Sequence, residues 1–366
     1  MNKIKLAILF GGKSDEYSVS LHSSAAIINN IPEDLYDVTL IGITRDGKWL
    51  HYEGNADKIN DDTWHLDDLS PVLLSMDFKG LIKLNEKNKA FERIELDCIF
   101  PVLHGRNGED GTIQGMCQMS GIPFVGCDMT SSAVSMDKEF THIICEAAGI
   151  KTAPFMSAVN HKTLDIKNLF SQAFEKLSLP MFIKPANNGS SLGISKVRNY
   201  DEFEKGIMEA FEYDRKVVIE SMIPGFEIGC AVVGNEDLII GEVDEIDTKN
   251  DFFDYVEKYS QKNSKIYCPA RISDELKAQA KEMAANTYKA LGCSGLSRVD
   301  MFLTPKNEIY LNEINTIPGL TDLSRYPSML KKIGIEYKDL IVKLVELAME
   351  KYQWTLNDEQ LMSENG

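Results

Sequence analysis

Basic charge is scarce in this chain: 39 Lys and Arg stand against 56 Asp and Glu, a formal net charge of −17. Nucleic acid and anionic membrane both repel such a surface, which excludes them as partners. An anionic nucleotide can still be held where Lys, Arg, a divalent cation and backbone N–H groups are concentrated. Long apolar runs are also missing. None approaches the ~20 residues that span a bilayer. The run over residues 6–10 stops at Gly11-Gly12, too short for a signal-peptide core. The seven cysteines are odd in number and show no CxxC spacing. They are therefore expected as reduced, buried thiols in a cytoplasmic protein. The loop after the first strand has no GxGxxG, and the Ser-rich loop at 187–193 is followed by no GKS or GKT. The dinucleotide fingerprint and the Walker loop are thereby removed.

What remains is the texture of a soluble globular protein, 43% hydrophobic over 366 residues, long enough for two or three packed units. Residues 5–10, 38–43 and 96–103 read as strands, and 18–30 and 111–120 as helices. Strands alternating with helices predict an open parallel α/β domain over 1–130. A helix is predicted over 131–148, followed by strands at 181–185, 194–197 and 217–220. Between the last two lies a helix over 201–213, capped by Asp201. These make a compact α+β lobe over 131–222. A second lobe over 223–354 carries strands at 226–233 and 238–246, a helix over 273–291, strands at 295–303 and 308–314, and a closing helix over 335–352. Residues 248–268 have little periodicity and read as a lid, and 355–366 as a flexible tail frayed from Asn357.

The chemistry-bearing signals lie at strand ends. Arg298-Val299-Asp300 and Asn312-Glu313-Ile314-Asn315 each sit in a strand, where alternation pairs Arg298 with Asp300 and Glu313 with Asn315 on one face. Two carboxylates and an amide oxygen are hard ligands suited to Mg²⁺ shared with phosphates. The alternative is a solvated strand face with a chance ion pair. The loop Asn187-Asn188-Gly189-Ser190-Ser191-Leu192-Gly193 lets backbone N–H groups approach phosphate. Lys184 at its edge can reach one, and residues 218–223 offer an apolar wall with strand-end polar groups for an adenine. His104-Gly105-Arg106-Asn107-Gly108-Glu109-Asp110-Gly111 follows the carboxyl end of a strand, where open α/β sheets bind ligands, though His104 is as readily structural. Glu16 lies just before a helix N-terminus, where a carboxylate can hold an ammonium while free N–H groups attract a carboxylate. Those are the two ends of an amino acid.

Together, His104-Gly105…Gly108-Glu109-Asp110-Gly111…Gln114-Gly115, Lys184-Pro185…Gly189-Ser190-Ser191, Glu257-Lys258-Tyr259, Arg298-Val299-Asp300 and Glu313-Ile314-Asn315-Thr316…Pro318-Gly319 resemble the D-alanine–D-alanine ligase family of the ATP-grasp superfamily. The likeness runs in order from residue 5 to about 350. It implies an ATP-grasp fold of two lobes behind an N-terminal α/β domain. Implied ATP contacts are Lys138, Lys184, Ser191, Glu220, Ser221, Ile223, Glu227 on the ribose, Phe302, Asn312 and, from the lid, Lys258. Asp300, Glu313 and Asn315 would ligate two Mg²⁺, or Mn²⁺ in their place. Glu16 would grip the ammonium of the first D-alanine beside Val19 and His104, and Glu16, Ser190 and Tyr259 would bridge the site and tie the lid shut. Arg298 and the N–H of Gly319 would stabilise the oxyanion, and Ser324 would hold the second substrate's carboxylate. The implied reaction joins two D-amino acids through an acyl phosphate. The family further suggests a homodimer.

Within that family, Asp322-Leu323-Ser324-Arg325-Tyr326 departs from the usual pattern, which has an apolar residue after the Ser. Arg325 reads as a charge at the mouth of the second-substrate pocket, with Asp244 to pair it and Phe253 as a wall. A hydroxymethyl gives Arg something to bond; a methyl does not. These stretches resemble VanG-type D-alanine–D-serine ligases of glycopeptide resistance. The expected order of second substrates is D-serine, then D-alanine of ordinary wall synthesis, then D-lactate. A nucleotide-binding protein without ligase activity and a nicotinamide oxidoreductase are the alternatives from other classes.

Overall fold

The computed structural model describes residues 3–85, 89–190, 192–248 and 264–364. The N-terminal domain is built on β1 (Ile4–Gly11), whose run Leu6-Ala7-Ile8-Leu9-Phe10 is buried on both faces. Such a strand must be covered twice, as in parallel sheets. Leu6, Ile8 and Phe10 face one core, Ala7 and Leu9 the other. β1 pairs in parallel with β2 (Tyr36–Ile43) and with the strand Cys98–Pro101. The rest of this sheet departs from the all-parallel expectation. β3 (Trp49–Tyr52), β4 (Ser70–Leu74), β5 (Gly80–Asn85) and β6 (Ala90–Glu95) extend it as an antiparallel meander before the chain returns as β7 (Cys98–Pro101). Helices α1 (Tyr17–Asn30), α2 (Ala56–Asn60) and α3 (Thr112–Ser120) pack on this domain. Trp64 fills its core edge-on to Phe10 at 4.9 Å, in the space left by Gly42, where any side chain would collide with the indole.

The helix expected over 131–148 is two helices, α4 (Met129–Met136) and α5 (Lys138–Ala147). Asp137 is extended between them and its carboxylate accepts from the N–H groups of Glu139 and Phe140. This cap places Lys138 at the first position of α5. The central sheet runs in the order β10-β9-β11-β8, from β8 (Phe155–Val159), β9 (Met181–Pro185), β10 (Ser195–Val197) and β11 (Lys216–Ser221). Its helices are α6 (Ile166–Leu177) and α7 (Tyr200–Tyr213). Asn199, not Asp201, caps α7, accepting from the N–H of Glu202 at 2.9 Å.

The last sheet has the order β14-β13-β12-β15-β16, from β12 (Phe226–Gly234), β13 (Ile239–Thr248), β14 (Ser264–Tyr267), β15 (Gly295–Leu303) and β16 (Ile309–Asn315). β14 lies inside the segment read as a structureless lid and pairs antiparallel with β13. Helices α8 (Asp274–Ala290), α9 (Arg325–Lys331) and α10 (Tyr337–Glu364) complete the lobe; α10 continues past residue 352 through the stretch expected to fray. Tyr326, Met329, Leu340, Ile341 and Leu344 share one core with Leu6, Ile8 and Phe10, so the last lobe is fixed to the first domain by apolar burial. No helix of the described residues is long and apolar enough to cross a membrane. All seven cysteines are free, six of them buried.

Candidate active site

A cavity of about 320 Å³ opens where the three units meet. Glu16, Val19, Ser23, His104 and Glu109 enter it from the first domain; Lys138, Asn188 and Ser190 come from the middle; Arg298, Asn312, Glu313, Asn315, Gly319, Ser324 and Arg325 come from the last lobe. Residues up to 309 positions apart in sequence thus converge on one volume. Lys184, Glu220, Ser221, Ile223, Glu227, Asp244, Asp300 and Phe302 do not line it. Ser191, Phe253, Lys258 and Tyr259 lie outside the described residues.

Glu16 occupies the N-cap of α1, but its carboxylate does not cap the helix. It accepts instead from Ser190 Oγ, across the junction of first domain and central lobe. Room for this depends on two bare α-carbons: a side chain at Gly105 or Gly189 would collide with Glu16 Oε2. Ser190 is held at φ +52°, unusual for a residue with a Cβ and a sign that the loop is over-determined. Lys138 Nζ donates to the carbonyl of Asn188 at 2.9 Å, and the Lys138 N–H donates to Ala186 O at 3.0 Å, so the start of α5 is fastened to the same loop. Among the described residues, Asn188 Nδ2 is buried and has no hydrogen-bond partner. An unpaired donor in a small-residue loop on the cavity wall is the chemistry a phosphate oxygen satisfies.

Lys184 joins the lobes. Its Nζ lies 2.7 Å from Glu220 Oε2 and 3.3 Å from Asn312 Oδ1. The other oxygen of Glu220 meets His142 Nε2 at 3.0 Å, and the His142 ring stacks on Phe155. Burial alone would raise the Glu220 carboxyl, but Lys184 and His142 hold it well below the usual carboxylate range. Ser221, expected to touch nucleotide, turns its hydroxyl away to the carbonyl of Leu177 at 3.0 Å, because strand alternation points it at the end of α6.

Asp300 sits opposite Glu313 across β15 and β16, and Arg298 opposite Asn315. Arg298 grips Asp300 with two donors, Nε at 2.8 Å and Nη2 at 2.6 Å, and Asn315 Nδ2 adds a third at 2.9 Å. A solvated strand face does not describe Asp300, which is 1% exposed, while Arg298, Glu313 and Asn315 are partly exposed. Two carboxylates and an amide held side by side fit a hard divalent ion whose remaining ligands come from phosphate and water. Among the described residues no group of three or more His, Cys, Asp or Glu forms a closed metal cage. An ion reaching Asp300 must therefore share it with Arg298.

Arg325 corrects the expectation of a charge at a pocket mouth, since its side chain is only 9% exposed. It lies flat on the sheet over Gly229, where any Cβ would strike its Nη2. Around that gap stand Asp244, whose two oxygens take Nε and Nη2 at 2.8 Å each, Glu227, which takes Nη1 at 2.8 Å, and Asp300 at 3.3 Å. Glu227, read as a ribose contact, is bonded to Arg325 here because alternation along β12 puts it on the face of Gly229. The three acids hold the Arg325 guanidinium charged against its burial.

His104 is buried, with Nδ1 2.8 Å from the carbonyl of Ile317 and Nε2 3.2 Å from Ser23 Oγ. Nδ1 must donate to a carbonyl, so Nε2 accepts from the Ser23 hydroxyl. Burial lowers the imidazole to about 4, and it is neutral. Ser324 Oγ accepts from Thr321 N–H at 3.1 Å and lies beside the α-carbon of Gly319. Glu109 and Ser23 are among the lining groups to which the sequence reading gave no role. Glu109 accepts from the N–H groups of Gly105 and Ile317, and burial beside Glu16 pushes its carboxyl up to about 8. Ser23 accepts from the N–H of Leu320 at 3.3 Å. Both act on backbone, which leaves no periodic trace; for Glu109 the available signal was its place in Gly108-Glu109-Asp110-Gly111 past a strand end.

Residues 5–127 match the family description "D-ala D-ala ligase N-terminus" and residues 144–346 match "D-ala D-ala ligase C-terminus". A D-alanine–D-alanine ligase of Acetivibrio thermocellus is 42% identical, covering 98% of this chain and 99% of its own. One from Clostridium novyi is 44% identical, covering 95% and 99%. Among solved structures, the VanG D-Ala:D-Ser ligase from Enterococcus faecalis superposes with a TM-score of 0.87 at 46% identity, covering 95% of this chain and all of its own. The D-alanine–D-alanine ligase from Coxiella burnetii superposes at 0.85 with 28% identity, covering 99% of each chain.

Proposed function

The chain belongs to the D-alanine–D-alanine ligase family of ATP-dependent ligases, and from that premise we propose that it joins D-alanine to D-serine. The observation that carries the choice of D-serine is the Arg325 guanidinium on the cavity wall, oriented by two contacts to Asp244 and one to Glu227. A guanidinium has five N–H donors; Asp244 and Glu227 take three, and Nη1 also lies 3.3 Å from Asp300. A remaining donor suits a substrate hydroxyl. A pocket built to bond a hydroxyl rejects the analogue without it, because its own buried donor is then left unpaired. The likeness to the VanG D-Ala:D-Ser ligase supports the same reading, and its consequence for the cell would be altered wall precursors and glycopeptide resistance.

The chain's own groups divide the work. Glu16, held by Ser190, receives the ammonium of the first D-alanine. The carboxylate of that D-alanine attacks the γ-phosphorus of ATP, ADP leaves, and an acyl phosphate forms. Lys138, Lys184 and the N–H groups of the 186–193 loop position phosphate, which phosphoryl transfer needs more than covalent catalysis. Asp300, Glu313 and Asn315 would hold two Mg²⁺, which neutralise phosphate charge. The amine of the second substrate then attacks the acyl carbon, the developing oxyanion meets Arg298 and the Gly319 N–H, and the C–O bond to phosphate breaks, the departing phosphate taking the electron pair and the proton that the amine gives up.

The relatives named D-alanine–D-alanine ligase favour a second reading, D-alanine in both positions. Mass spectrometry of products from ATP, Mg²⁺ and equal D-alanine and D-serine separates the two. Predominant D-Ala–D-Ser supports the proposal. Predominant D-Ala–D-Ala overturns the serine reading and leaves the ligase class intact.

A further inference from the structure

The peptides that flank Gly319 are fastened to side chains of the first domain, with the Leu320 carbonyl also taken by Tyr337 Oη of the last lobe. Ile317 N–H donates to Glu109 Oε1 at 3.1 Å, Ile317 C=O accepts from His104 Nδ1 at 2.8 Å, and Leu320 N–H donates to Ser23 Oγ at 3.3 Å. Ser23 and His104 bond each other at 3.2 Å, and the second oxygen of Glu109 takes the N–H of Gly105, next to His104, at 2.8 Å. Three side chains from α1 and the loop after β7 therefore form one directed network that fixes both peptides around Gly319.

We infer that Glu109 is a positioning residue of the ligase, holding the Ile317–Leu320 turn so that the Gly319 N–H points at the oxyanion of the second step. Glu109 reaches across the domain boundary, and it is the acceptor that ties the 105–109 loop and the 317–320 turn to one carboxyl group. Its neighbour Glu16 makes its placement specific. Glu109 lines the same cavity and meets only backbone N–H donors in its two contacts, leaving the ammonium of the first substrate to Glu16. The inference rests on the proposed role of Gly319 and deepens it. It concerns amine attack on the acyl phosphate, not formation of that acyl phosphate.

The two steps can be read separately. When the second slows and the first does not, the acyl phosphate is lost to water, and more phosphate is released than dipeptide made. The test measures phosphate and dipeptide together, with D-alanine as the sole amino acid, in the wild type, Glu109→Gln and Ser23→Ala. Gln offers one carbonyl oxygen for two N–H donors, so one tie is lost without loss of volume. The expected result is a fall of roughly 10- to 100-fold in kcat for dipeptide in Glu109→Gln, from misplacement of a donor on the order of an ångström. KM for ATP should stay within about twofold, and the ratio of phosphate to dipeptide should rise clearly above the wild-type value. Ser23→Ala, which loosens the other end of the turn, should raise the ratio in the same direction. A merely structural role lowers both products in proportion, and an unchanged ratio in both variants overturns the inference. Product identity in the mixed-substrate experiment bears on the serine reading alone, so the two can fail independently.

Discussion

Arg325 and Asp244 meet in a two-point contact 81 residues apart in sequence, Nε on Oδ2 and Nη2 on Oδ1, both at 2.8 Å. Both side chains are almost fully buried. The same guanidinium is shared with Glu227 and Asp300, so the group assigned to select the second substrate also neutralises a proposed metal ligand. Removing it leaves three acids facing one another. Arg325→Leu should therefore cost about 3–5 kcal/mol of stability, the usual penalty for breaking a buried pair from one side. Gly229→Ala is the gentler probe. A Cβ there crowds Nη2 while retaining every charge. It should shift products toward D-Ala–D-Ala with a stability loss of only about 1–3 kcal/mol. A product ratio unchanged by Gly229→Ala, with the melting temperature lowered, would mean that Arg325 is structural.

His104 should behave as a neutral, non-titrating group at working pH. Burial holds its imidazole down to about 4, against a smaller upward pull from the Ile317 carbonyl. The sign follows: a base whose folded pKa lies below its unfolded value of ~6.5 contributes stability present above about pH 6.5 and lost as pH falls toward 4. His104→Gln should flatten that loss, so melting curves of wild type and variant should converge between pH 6.5 and 4. An NMR titration of the His104 ring with a midpoint near 6.5 would contradict the buried, neutral assignment.

How much of this was legible in the sequence depends on what each signal rests on. β9 and β15 were found at their full lengths, because apolar alternation between turn residues is local. Twelve of the 26 cavity residues were among those named as site residues from the sequence, such as Glu16, Arg298 and Glu313, because charged and small residues at strand ends stand out from their neighbours. The β3–β6 meander was missed: β6, Ala90–Glu95, is exposed along nearly its whole length, so it has no apolar period to read. The break at Asp137 has no Gly or Pro to mark it, only a capping carboxylate. The burial of Arg325 depends on an empty position, Gly229, nearly a hundred residues away, and no local pattern encodes a gap.

Glu220 offers a pH test of opposite chemical type. Burial opposes its charge, yet Lys184 at 2.7 Å and His142 at 3.0 Å hold its folded pKa well below the ordinary value. An acid with a depressed folded pKa contributes stability that is fully present above its unfolded value of ~4.3 and is lost as pH falls through that value toward the folded one. Glu220→Gln should therefore destabilise most at neutral pH, by about 3–5 kcal/mol since it strands the buried Lys184. The gap to wild type should narrow below about pH 4. Chemical denaturation at pH 7 and pH 3.5 measures both, and a gap independent of pH would refute the charge assignment.

The metal reading is best tested at Glu313 and not at Asp300. Asp300 already carries Arg298, Asn315 and a share of Arg325, so Asp300→Asn disturbs the ion cluster and any metal together. Glu313 faces Asp300 across β15 and β16 and lines the cavity itself. Glu313→Gln keeps its shape, and its melting temperature without nucleotide is measured alongside, so that loss of fold is separated from loss of the ion. A ligand that binds only the folded state raises the melting temperature in proportion to the logarithm of its concentration over its Kd. The Mg²⁺ concentration needed for ATP to raise the melting temperature should then increase by roughly 10- to 100-fold in the variant, and dipeptide formation should fall with it. The readout is binding as well as turnover. A variant that lost activity while its Mg²⁺ dependence of ATP binding stayed at the wild-type midpoint would remove Glu313 from the metal set and leave Asp300 and Asn315 to be tested as ligands on their own.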